Sequence, residues 1–60
     1  MNLVIKCLDT DRYLEGDYCG NPVWKLHISR AMIFHNTFEA EQYADQCGLA
    51  VDDWIFERIE

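Results

Sequence analysis

Apolar positions recur along this chain with two periods, and the places where one gives way to the other outline the secondary structure. In residues 3–8, Leu3, Ile5 and Cys7 alternate with Val4, Lys6 and Leu8, the period of two that belongs to a strand. Asp9-Thr10-Asp11-Arg12 is turn chemistry, because short acidic side chains satisfy nearby backbone groups, and Tyr13-Leu14 then predicts a short strand returning antiparallel. Residues 15–22 hold two glycines, an Asn-Pro step and two acids, which predicts an exposed loop. In residues 23–28 the alternation resumes, predicting a third strand with Trp24, Leu26 and Ile28 turned to the core.

Ser29-Arg30-Ala31 reads as a turn, and Met32-Ile33-Phe34 as a brief strand or tight crossing, being too short for a helix. The period then changes. His35-Asn36-Thr37 supplies N-cap residues, Glu39 stands three positions after Asn36 as a capping-box partner, and Glu39 and Glu41 suit the positive end of a helix dipole. A helix is predicted from Thr37 or Phe38, with Ala40, Tyr43, Ala44 and Cys47 forming its apolar stripe and Gly48 its stop. After Leu49-Ala50-Val51 and Asp52-Asp53, residues 54–59 are aromatic and β-branched enough for a last strand, either central in the sheet or paired with a second copy at an edge. The predicted fold is α+β, a small antiparallel sheet of three to four strands packed against one α-helix, as a single domain over residues 1–60.

Length and composition narrow the function. Sixty residues bury only about 60% of their unfolded surface, so one domain is the ceiling. Two Trp, three Tyr and three Phe supply a core, and little is left over for the supporting shell that a catalytic site requires. Eleven acidic residues against five basic ones give a formal charge of −6, which repels nucleic acid and anionic membrane and attracts cationic partners. No stretch is long enough to span a bilayer, and the run ending at Leu8 is too short for a secretory leader. Cys7, Cys19 and Cys47 are odd in number and unpaired in spacing, which fits free thiols in a reducing, cytoplasmic setting.

The constellations that carry chemistry fail individually. No spacing joins a Cys to His27 or His35 as nucleophile and base, and the close ligand pairs of a structural zinc site are absent, so no metal or cofactor is expected. Asp9-x-Asp11-x-x-x-Glu15-x-Asp17 resembles a calcium loop, but Tyr13 takes a ligand position and Leu14 replaces the required glycine. What remains is the grouping of the acids: Asp9 with Asp11, Glu15 with Asp17, Glu39 and Glu41 with Asp45, and Asp52 with Asp53. An extended i, i+2 pair lies about 6.6 Å apart, near two phosphate steps of about 3.4 Å on one DNA strand. These nine residues are therefore the expected partner-binding surface, set against the plainer reading of a solubilising shell.

The string from Trp24 to Ala44, with Ala31, Phe34, Thr37, Glu39, Ala40 and Tyr43 in order, followed by Gly48 and a closing strand, resembles a recurrent small phage and prophage domain. Cys19 and the Asp52-Asp53 pair depart from that pattern. In size, charge and lack of catalytic residues the chain is also similar to the anti-CRISPR proteins, several of which bind the DNA-reading surface of a surveillance complex. The resemblance implies a phage-encoded inhibitor that occupies a basic groove on a Cas effector in the host cytoplasm and blocks target DNA binding. The competing expectation is a phage or bacterial interaction module that binds a host protein through Trp24, Tyr18 or Trp54.

Overall fold

The computed structural model describes residues 2–50 and 52–59; Met1, Val51 and Glu60 lie outside the described residues. Strands β1 (Asn2–Cys7), β2 (Tyr13–Tyr18), β3 (Asn21–Lys25) and β4 (Trp54–Ile59) form one antiparallel sheet in the order β3-β2-β1-β4, and α1 (Thr37–Gln46) packs on one face. The α+β class and single-helix layout are those predicted from periodicity, with four strands. The apolar strand β4 lies at an edge, and β1, buried at Leu3, Val4 and Ile5, lies at the centre.

Residues opposite one another in an antiparallel ladder share a face. Ile5 opposite Phe56, Cys7 opposite Trp54, and Leu14 opposite Trp24 therefore look toward the helix. They meet Ala40 and Ala44 there, and Phe34 closes the cluster. Two alanines at the contact let α1 approach the sheet closely. The other face carries Val4 opposite Glu57 and Lys6 beside Tyr13, where the Tyr13 hydroxyl donates to Glu57 at 3.0 Å and Lys6 lies 3.8 Å from the same carboxylate. That bond, with burial and the charge of Glu57, moves the Tyr13 hydroxyl above its ordinary pKa.

Two segments differ from the sequence-based expectation. Residues 15–22 are the body of a hairpin and not a loop. The chain reverses at Cys19 and Gly20, whose φ values of 53° and 84° are both positive, as a two-residue type I′ connection demands. The usual signal is Asn before Gly; here Cys stands before Gly and Asn21 follows, so the turn is concealed. Replacing Cys19 by Asn, which tolerates the left-handed region, is expected to stabilise the domain by up to about 1 kcal/mol; an unchanged midpoint in urea denaturation would contradict this.

The second difference lies beyond Lys25. Strand β3 ends there and residues 28–30 form a 3-10 turn, leaving Leu26 63% and Ile28 38% exposed where both were expected in the core. The reason is backbone pairing. Past Lys6 opposite Tyr13, β1 and β2 separate, and residues 32–34 enter the fork. The Met32 N–H donates to the Leu14 carbonyl at 2.9 Å, and Phe34 and Leu3 exchange both backbone bonds at 2.8 Å. The chain must turn out of β3 to reach this position, and Leu26 and Ile28 lie on the outward path.

The helix follows its sequence signals closely. The Asn36 side chain accepts from the Glu39 N–H at 2.9 Å, Ala40 and Ala44 are buried, and Gly48 takes φ 73° just after the C-cap residue Cys47. Glu39 returns its carboxylate to the His35 N–H, one residue before the cap.

Candidate functional site

The nine acids singled out from the sequence do not form one row. Asp9 and Asp11 sit in the tight turn after β1, where Asp11 has φ 56°, so the extended spacing expected of them is not formed. Glu15 stands at a register shift between Leu14 and Gly16. That bulge aims it at Arg30, 3.3 Å away, while Asp17 accepts a 2.6 Å bond from the Tyr43 hydroxyl. Asp11 lies 3.7 Å from Lys6, and Glu39 is spent on the helix start.

The remaining five, Asp9, Glu41, Asp45, Asp52 and Asp53, are exposed and form no ion pair with another described residue. They fall in two groups. The Leu8 N–H donates to the Asp53 carbonyl at 2.9 Å, which brings the turn holding Asp9 against the loop holding Asp52 and Asp53 at one end of the sheet. Glu41 and Asp45, one helical turn apart, border an open groove of about 690 Å³ between α1 and β4.

The floor of that groove is apolar: Ala44, Leu49, Trp54 and Phe56, with Phe38, 68% exposed, at its side. The Trp54 and Phe56 rings meet edge to face, 4.9 Å between centroids. The Trp54 indole N–H is buried, and no described residue accepts from it. The sequence places Phe38 at the start of the helix without a role, and places Trp54 at the start of the last strand and among the aromatic contacts of the interaction-module reading. Of the aromatic residues named there, Tyr18 is exposed at the β2–β3 hairpin, Trp24 is half-buried against the core, and Trp54 is almost wholly buried in the groove floor.

Among the described residues no three His, Cys, Asp or Glu side chains converge on a point that could hold a metal ion. His27 and His35 are exposed, and all three cysteines are free thiols. Cys7 is held below the ordinary thiol pKa chiefly by a hydrogen bond from Thr10, whereas burial pushes Cys47 up. No helix among the described residues is long and apolar enough to cross a membrane.

Tyr43 fastens α1 to the β2 bulge. Its bond to Asp17, aided by burial and the negative charge of that carboxylate, raises the hydroxyl from 10.0 to about 12. A raised pKa stabilises the fold while the group keeps its proton, so this contribution is complete below pH 10 and is lost as pH climbs from about 10 to about 12. Tyr43→Phe is expected to unfold more easily than the parent at pH 7, with the two converging above pH 12. Urea titrations across that range check it, and a constant difference at high pH would refute the assignment.

Compared with protein-family models, with curated proteins and with solved structures, the chain matches none.

Proposed function

We propose that this chain acts by binding, without catalysis, and that its partner is a protein with a cationic surface. The observation that supports this is the division of labour among the acids. Asp11, Glu15, Asp17 and Glu39 serve the chain's own lysine, arginine, tyrosine and helix start, while Asp9, Asp52 and Asp53 stand in neighbouring loops at one sheet end and form no ion pair with a described residue. Like charges held together by a backbone hydrogen bond repel one another, and a cationic partner relieves that repulsion.

In its narrowest form the proposal is the one the phage resemblance suggests: an anti-CRISPR inhibitor in the cytoplasm of the host, filling the basic groove of a Cas effector so that target DNA is excluded. The test is a pull-down of the tagged protein from nuclease-treated bacterial lysate at low and high salt. A nucleic-acid-binding complex should be retained at low salt and released at high salt, and Asp9→Lys with Asp52→Lys and Asp53→Lys should weaken retention. Salt-resistant capture that survives these substitutions would defeat the proposal.

A second reading is favoured by the groove between α1 and β4. An apolar floor beside Phe38 is the anatomy of a hydrophobic interface, with Glu41 and Asp45 as its polar rim. In that form the partner is held through Trp54 and Phe38, and salt weakens binding only modestly.

A further inference from the structure

The ladder between β1 and β4 determines which backbone groups β4 turns outward. The Leu8 N–H donates to the Asp53 carbonyl, and Leu3 exchanges its bonds with Phe34 on the side away from β4. Hydrogen-bonded pairs alternate along an antiparallel ladder. Lys6 opposite Ile55 and Val4 opposite Glu57 are therefore the bonded pairs, and the N–H and C=O of Trp54 and Phe56 point away from β1. β4 is the last strand of the sheet, and no described strand lies beyond Trp54 and Phe56 on that side. The groove lies between this same strand and α1.

From this geometry we infer that β4 accepts a fifth strand, supplied by an extended, lysine- or arginine-bearing segment of the cationic protein partner. The inference rests on the binding reading above and adds where and how that partner engages. A strand laid along β4 pairs its backbone with Trp54 and Phe56, and its side chains alternate between the two faces. Those on the helix side enter the groove: an apolar one meets Leu49, Trp54 and Phe56, and a long cationic one reaches Glu41 and Asp45 while its methylenes cover Phe38. Charge selects the occupant. A second copy of this chain would bring its own Glu41 and Asp45 and a further −6 to the same groove, so self-pairing is opposed where a basic segment is attracted.

The probe is a capped synthetic peptide of ten alternating valine and lysine residues, titrated into the isotope-labelled protein, with a valine–glutamate peptide as control. The expected result is saturable binding of the lysine peptide alone, amide shifts centred on Trp54 and Phe56, and slowed hydrogen exchange of the Phe56 N–H. Glu41→Lys with Asp45→Lys, both at exposed helix positions, should weaken binding about tenfold. Shifts confined to Asp9, Asp52 and Asp53 would overturn strand addition and leave the cationic-partner reading standing. Equal binding of the glutamate peptide would overturn the charge selection. A dimer in sedimentation equilibrium without peptide, with Phe56 already protected, would overturn the peptide as occupant in favour of a second copy.

Discussion

Trp54→Ala is expected to remove most of the stability of this domain, and Trp54→Phe to remove little. Trp54 is only 9% exposed, opposes Cys7, stacks edge to face on Phe56 and packs in the cluster that holds the helix to the sheet. Truncating a buried Trp to Ala costs about 3–5 kcal/mol through lost transfer energy and the cavity left behind. A chain of this length has about 3–9 kcal/mol in all. Phe keeps the ring contact and leaves a smaller void, so less transfer and cavity energy is lost than with Ala. It also deletes an indole N–H that is buried with no described acceptor, whose desolvation costs about 1–3 kcal/mol. Urea denaturation followed by far-ultraviolet circular dichroism separates the two variants. A Phe variant as unstable as the Ala variant would mean that the indole N–H has an acceptor in solution.

The second large effect is a contrast between two leucines. Leu14→Ala should cost about 2–5 kcal/mol, because Leu14 is fully buried beside Trp24 at the point where β1 and β2 part. Leu26→Ala should change stability by no more than about 0.5 kcal/mol, because that side chain is exposed. Periodicity ranks them the other way, with Leu26 at the middle of a six-residue alternating run and Leu14 at the end of a two-residue one. Denaturation midpoints of the two variants decide between rank by pattern and rank by burial. Equal midpoints would place Leu26 in a contact that its exposure does not reveal.

The same contrast marks how far the candidate site could be read in advance. All nine acids were visible as residue types, yet only the folded chain divides them. Asp17 and Tyr43 are 26 residues apart and Glu15 and Arg30 are 15 apart, and both contacts arise from the bulge that re-aims β2. The groove was invisible for a related reason. Phe38 lies off the apolar stripe of α1, and its neighbours across the groove come from β4, so no window along the chain contains both walls.

Local chemistry alone determined the helix, because its start, stripe and stop are written within one short segment: the Asn36 cap, Ala40 with Ala44, and Gly48. It likewise determined β1 and β4, whose β-branched and aromatic runs have no competing helical period, and the net charge of −6. Tertiary structure decided the rest. Which strand is central, where β3 stops, and which carboxylates meet a cation or hydroxyl of the chain itself depend on backbone groups finding partners across the fold. Leu3 finds Phe34 and Leu14 finds Met32 only once the fork between β1 and β2 has opened. A buried N–H or C=O must be paired wherever the chain can supply a mate, and that requirement overrides the side-chain period that would have kept Leu26 and Ile28 inside.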